Sequence, residues 1–335
     1  MKVAVLSPIA WRTPPTEYGP WEQVASNLTE GLVDIGLNVT LFATGNSLTN
    51  AKLQSVTDKG YEEDRSLDAK VVECLHISNL MEQAKDFDLI HNHFDFLPLS
   101  YSGLIDTPML TTIHGFSSKR ILPVYQKYNS ISSYVSISNA DRAKELNYLA
   151  TVYNGLEVSQ FTFVEEPSDY LLFFGRIHPD KGPLEAIEIA IASKKKLYLV
   201  GLVQDQHYFE TQIKPRLNEQ IEYLGLAGPE RRNELLGNAL ALLHPIAFDE
   251  PFGLSVAEAM LCGTPVIAYN RGSMPELILH EETGFLVSNV DEAVNAVAEL
   301  KNIDRAKCRN WSEEKFSKER MASDYLACYK QILNL

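Results

Sequence analysis

The chain predicts an α/β protein with parallel sheets of the doubly wound kind, and three features of the sequence carry that reading. Apolar strand runs alternate with helical segments from one end to the other. Several of the runs, such as residues 240–246, are largely apolar, as in strands buried on both faces of a parallel sheet. The 335 residues, 45% of them hydrophobic, suffice for two cores of ordinary domain size, and the polar segment 161–169 interrupts the pattern between them.

In chain order, residues 3–7 read as the first strand and 39–44 as the next. Between them lie a long loop, 8–19, and a helix over about 20–35 with Val24, Leu28 and Leu32 on one face. Pro20 suits the first helical position, where its missing N–H would have been unpaired anyway. Residues 89–94 and 109–115 are apolar strands whose C-terminal ends carry His91, His93 and His114. Ligands of open α/β sheets bind outside those ends, which makes the histidines site candidates. His91 reads more readily as structural, His93 could line a pocket, and His114 either reaches a ligand or bonds a loop carbonyl. A metal on the three would need a carboxylate at ligand spacing, and none completes the set. Strands at 134–138 and 151–153 close this half, the second running into the turn pair Asn154-Gly155.

These signals divide the chain into domains at 1–165 and 166–310, with a terminal helical segment, 311–335. The second half opens on the strand 170–174, followed by Gly175-Arg176 and then Lys181-Gly182 before a helix starting at Pro183. Two cations at a strand end can neutralise an anionic group from two sides, arginine as a planar fork for phosphate oxygens and lysine as a point charge. Strands follow at 197–201 and 221–225. The run 240–246 then enters Phe248-Asp249-Glu250-Pro251-Phe252-Gly253-Leu254-Ser255, which leads into a helix carrying Glu258. Gly253 permits a tight turn, and the free amides of Leu254 and Ser255 at the helix start favour an anion. Two carboxylates bracketing an anion site suit a phosphate ester of polyols. Strands at 265–269 and 284–287 and a helix at 291–300 follow. A helix over 311–333 offers Phe316, Met321, Tyr325, Tyr329 and Leu333 for packing.

Composition removes several function classes. The net charge of −14 argues against nucleic acid as a partner, since phosphate backbones need a basic face. The opening apolar run is too short for a signal peptide and no run approaches a membrane span, so a cytoplasmic location is expected. Cys74, Cys262, Cys308 and Cys328 lack CxxC spacing, as reduced thiols do. No G-x-G-x-x-G follows the first strand, which disfavours a dinucleotide oxidoreductase.

The stretch from Glu250 to Glu258 resembles the E-x7-E motif of retaining GT-B glycosyltransferases, the group 1 glycosyl transferases of family 4. The Gly175-Arg176 and Lys181-Gly182 pairs are similar to the same family's cation segment. The resemblance implies two Rossmann-like doubly wound domains facing a cleft, with the C-terminal helix crossing back to the first. It implies that Glu250 and the backbone through Phe252 and Gly253 hold the donor sugar, the amides of Leu254 and Ser255 the diphosphate, and Glu258 the ribose. Arg176 and Lys181 would clamp the diphosphate, Gly225 and Leu226 would meet the base through their backbone, and His114 would reach the sugar. The family's Gly-Gly pair is Gly19-Pro20 here, so one amide is missing and only Gly19 carries over. His93 and Asn154 fall on the acceptor side. A further likeness over 11–44 is to bacterial or archaeal glycosyltransferases of unassigned substrate.

The activity so implied is hexosyl transfer from a UDP-, GDP- or ADP-sugar, with retention by a front-face route and without metal or cofactor. With no basic amphipathic helix in the first domain, a soluble carbohydrate-type acceptor is expected rather than a lipid. Two readings compete on the same fold, a nucleotide-sugar epimerase and a non-catalytic nucleotide-sugar binding protein.

Overall fold

The computed structural model describes residues 1–16, 18–116 and 119–335, and the chain divides into two compact units, Met1–Leu156 with Ser317–Leu335, and Glu157–Phe316. The first unit contains β1 (Lys2–Leu6), β2 (Asn38–Phe42), β3 (Lys52–Gln54), β4 (Leu89–Asn92), β5 (Met109–Ile113), β6 (Ser133–Ser136) and β7 (Tyr148–Thr151). They pair, all parallel, in the order β3-β2-β1-β4-β5-β6-β7. The second unit contains β8 (Tyr170–Phe174), β9 (Lys196–Val200), β10 (Ile221–Tyr223), β11 (Ala241–His244), β12 (Val266–Tyr269) and β13 (Gly284–Val287). Their order is β10-β9-β8-β11-β12-β13, again all parallel. Both sheets are wound outward in two directions from a central strand, which is the expected α/β class. Each therefore has a switch point, β1 against β4 and β8 against β11, where the loops leaving two neighbouring strands diverge and open a crevice.

The central strands are buried on both faces, as continuous apolar runs require: Val3 to Leu6 and Leu171 to Phe173 are at most 2% exposed. The helix Pro20–Asp34 starts as its sequence indicates, with Gly19 as N-cap and Pro20 in the first turn, and it buries Val24, Leu28 and Leu32. Asp68 caps the helix Ala69–Met81 through the amides of Lys70 and Val71. That helix escapes a periodicity reading, because Val71 and Leu75 are exposed while polar His76 is buried against Ser7 O at 2.9 Å. β3 escapes it too, as a three-residue edge strand with no buried residue. β7 lies three residues ahead of the expected 151–153, and the β6 pairing shifts register between Tyr134 and Val135 to reach it.

The helix expected over 311–333 is two helices, Arg305–Phe316 and Lys318–Leu333. Ser317 breaks them apart and caps the second by accepting from the Arg320 amide. Phe316 packs edge-on against Phe252 of the second unit, ring centroids 5.6 Å apart. Beyond the break, Met321, Ala322, Tyr325 and Tyr329 are buried in the first unit, where this helix packs on Pro20–Asp34. The chain enters the second unit before the polar segment at 161–169: Arg309 donates to Phe161 O, and the Val164 amide to Cys262 O. Among the described residues no helix is long and apolar enough to cross a membrane.

Candidate functional site

In the second unit, the loops leaving β8 and β11 at the switch point hold one cluster of charge. The β8 loop runs through Arg176, whose guanidinium donates to Gln204 Oε1, and ends in a single turn at Pro179–Lys181. The β11 loop lies against it, with the Ala247 amide donating to Asp180 O at 2.8 Å. This apposition brings the Lys181 ammonium onto Glu250 Oε2 and 4.7 Å over the Phe248 ring. His244, the last residue of β11, is buried with Nε2 3.7 Å from the same oxygen, longer than a hydrogen bond.

Burial opposes ionisation of Glu250, but His244 and the Lys181 charge outweigh it and hold the carboxyl at about 2. His244 is pushed the other way: burial lowers its pKa more than Glu250 raises it. At neutral pH the cluster is therefore a carboxylate, an ammonium and a neutral imidazole. The segment after β12 fixes the Glu250 backbone. Ser273 donates its amide to Glu250 O at 3.0 Å and its hydroxyl to Phe252 O at 2.7 Å, while Arg271 donates to Ala247 O.

Directly after Glu250 and the buried Phe252, Gly253 adopts φ 93° and becomes the N-cap of the helix Leu254–Leu261. Among the described residues no side chain caps that helix, which leaves the amides of Leu254 and Ser255 available to an anion. Farther along, Glu258 is buried and stands 3.2 Å from Arg232, whose guanidinium lies 5.7 Å from the Phe161 ring. Each carboxylate thus has its own cation, Lys181 for Glu250 and Arg232 for Glu258. Beyond β10, Gly225 gives its carbonyl to the Gly201 amide at 2.9 Å, and Leu226 is half exposed.

In the first unit, the switch point and the neighbouring strand end gather the histidines. His91 is spent on structure: Nδ1 bonds Tyr329 Oη and Nε2 bonds Thr112 Oγ1, both at 2.7 Å, and Thr112 Oγ1 bonds Tyr325 Oη. His93, just beyond β4, places Nδ1 2.9 Å from His114 Nε2. Trp21, from the first turn of Pro20–Asp34, stacks on the His114 ring with centroids 5.5 Å apart. Burial lowers the pKa of all three, His114 to about 3, so they are neutral at physiological pH. Gly19 caps the same helix and accepts from the Gln23 amide. Asn154 is buried, and among the described residues no group reaches its Oδ1. The loop 10–18 includes Glu17, which lies outside the described residues.

Sequence reading missed Glu22, His244 and Arg232. Arg232 sits beside Arg231 in a polar helix and gives no sign of its buried partner. Glu22 reads as a first-turn acid, yet it is buried, and it accepts from the Trp11 amide at 3.3 Å. Desolvation raises its pKa to about 7, against the lowering by backbone amides. A raised carboxyl favours the fold below its unfolded value and loses that contribution as pH rises toward 7. Glu22→Gln removes the buried charge, so it is expected to stabilise the protein at pH 8 by roughly 3 kcal/mol at most, read as a higher Tm. Near pH 4 the gain should vanish. Equal melting shifts at the two pH values would show that Glu22 does not carry the effect.

Residues 157–318 match the family model described as glycosyl transferases group 1. An uncharacterised 41.2 kDa protein of the cps region of Klebsiella pneumoniae is 32% identical over 178 residues, 50% of this chain. The match spans about half, 48%, of that relative's own length. Among solved structures, AviGT4, a glycosyltransferase involved in avilamycin A biosynthesis, superposes with TM-score 0.74 at 24% identity, covering 99% of this chain and 98% of AviGT4. Anabaena HepE in complex with UDP and glucose superposes with TM-score 0.74 at 17% identity, covering 99% and 100%.

Proposed function

We propose, from a chain whose residues 157–318 match the group 1 glycosyl transferases model and whose fold is that of GT-B enzymes, that the protein is a hexosyltransferase. It moves a sugar from a nucleotide diphosphate donor to a hydroxyl of a carbohydrate-type acceptor, with retention and without a metal. The observation that supports this best is the joining of Lys181, Glu250 and the free amides of Leu254 and Ser255 at one switch point. Such a crevice offers positive charge to a diphosphate and a carboxylate to sugar hydroxyls a few atoms away. HepE, solved with UDP and glucose, makes UDP-glucose the first donor to try.

On this reading Lys181 exchanges Glu250 for the diphosphate when donor binds, and Glu250 turns to the sugar. Arg176 and the Leu254 and Ser255 amides share the developing charge, Glu258 takes the ribose, and Gly225 and Leu226 meet the base. The bond from the anomeric carbon to the diphosphate oxygen breaks, and its electron pair leaves with the phosphate. The acceptor oxygen bonds the same face of that carbon and passes its proton to the departing phosphate oxygen. His114 orients the sugar and faces the positive ring as a neutral imidazole. A covalent route would need a carboxylate free to attack from the opposite face. Glu250, turned to a distal sugar hydroxyl once donor binds, is not free for that.

The test is a thermal-shift panel of UDP-, GDP- and ADP-sugars, followed by product NMR with the best of them. A true donor at a hundred times its Kd stabilises by about 2.7 kcal/mol. Nucleoside diphosphate should appear only when acceptor is supplied, and the donor's anomeric configuration should persist in the product. An inverted linkage would reject retention. Stabilisation without turnover would favour a binding protein, and conversion of the donor sugar to its epimer would favour the epimerase.

A further inference from the structure

The three buried histidines of the first unit are not equivalent in how their protons can be placed. His91 has both ring nitrogens bonded to hydroxyls, and a hydroxyl donates or accepts, so either tautomer leaves it satisfied. His93 and His114 share one bond, Nδ1 to Nε2 at 2.9 Å, and a single proton must lie in it. His93 is fully buried, its ring 4.2 Å from that of His91, and among the described residues no group reaches its Nε2.

Two proton placements are open to this pair. If His114 Nε2–H donates, the proton of His93 moves to Nε2 and stands as a buried N–H with nothing to receive it. If His93 Nδ1–H donates, His93 Nε2 keeps only a lone pair, and the proton of His114 moves to Nδ1. Buried N–H groups without an acceptor are rarer in folded proteins than acceptors left short of a donor. The second placement is favoured. A third, with a charged ring in the pair, is opposed by burial, and among the described residues no carboxylate is bonded to either histidine.

We propose that His93 is a positioning residue that donates Nδ1–H to His114 Nε2 and fixes His114 in its Nδ1–H tautomer, so that His114 offers its ligand a hydrogen-bond donor. The consequence for activity rests on the reading that His114 meets the sugar. A donor at Nδ1 suits a hydroxyl oxygen, whereas the opposite tautomer would present a lone pair to the same atom. Trp21, stacked on the His114 ring, keeps it from turning to exchange its two nitrogens.

The experiment combines nitrogen-15 NMR of histidine-labelled protein with kinetics of two variants. In the wild-type protein the His114 signals, assigned by their loss in His114→Gln, should report protonation at Nδ1. His93→Asn places an amide N–H where Nδ1–H was, so it should keep that tautomer and hold kcat within a few-fold of wild type. His93→Leu removes the donor; the His114 proton should shift to Nε2 and kcat should fall tenfold or more, with little change in donor KM. Wild-type protonation at Nε2 overturns the proposal, as does an unchanged tautomer in His93→Leu. Should the leucine variant not fold, the wild-type and asparagine spectra still decide. If His114→Gln proves fully active, the role of His114 at the sugar fails while the tautomer assignment stands on its own spectrum.

Discussion

Lys181→Ala is expected to lower kcat/KM by roughly thirty- to several-thousand-fold while the protein still folds. Removing one partner of a buried, hydrogen-bonded charge pair costs about 2–5 kcal/mol, and each 1.36 kcal/mol is tenfold in rate. Lys181 and Glu250 meet that description, with side chains only 14% and 13% exposed. Two losses combine in the variant: the diphosphate loses a cation, and Glu250 is left in a site that burial disfavours for a charge. Its carboxyl should then rise toward neutrality and bind sugar hydroxyls less well. Arg176→Ala should fall toward the lower end of the range, because Arg176 is bonded to neutral Gln204 and leaves no carboxylate unpaired. Lys181→Arg should not rescue, since a planar guanidinium does not replace an ammonium seated over Phe248. In a cycle with Glu250→Gln, the double variant should lose less than the sum of the singles, as partners in one contact do. Wild-type kcat/KM in Lys181→Ala would remove this loop from the donor site.

What the sequence showed of this site follows from how the fold places it. Strand ends can be read from apolar runs, and the residues just beyond them are site candidates by topology alone. Arg176, Lys181, His93 and His114 were legible for that reason. Glu250 and Gly253 were legible because a carboxylate, a glycine and a helix start stood in succession. The partners were not. Arg232 reaches Glu258 across two helices, and Ser273 holds Glu250 from a loop more than twenty positions away. No local spacing encodes either contact. His91 and Tyr329, 238 positions apart, meet only because the terminal helix returns to the first unit. The break at Ser317 was hidden because an N-cap serine inside a helical pattern looks like any polar surface position until its side chain turns inward.

Gly182→Ala is expected to destabilise the second unit by several degrees of Tm and to take activity with it. Gly182 lies between Lys181 and the helix Pro183–Ser193, with φ 73° and ψ 37°. An L-residue in that conformation costs about 1 kcal/mol relative to glycine. Space adds the larger share. A Cβ there would lie 2.0 Å from Pro245 O and 2.8 Å from Pro245 C, main-chain atoms that cannot swing aside as a flexible side chain would. Relief requires the β8 and β11 loops to separate, which breaks the Ala247 amide bond to Asp180 O and withdraws Lys181 from Glu250. Forced overpacking costs about 1–3 kcal/mol, so the total is roughly 2–4 kcal/mol. For a unit of this size each kcal/mol shifts Tm by about 2–4 °C, and a drop of roughly 4–16 °C should be measurable by calorimetry. Gly225→Ala is the control. It shares the strained backbone, at φ 78°, but nothing lies within 4 Å of its Cβ position. Only the backbone term of about 1 kcal/mol should remain in the ligand-free protein. Equal destabilisation by the two changes would mean that the β8 and β11 loops do not press together at Pro245, and the Lys181–Glu250 contact would lose its structural basis.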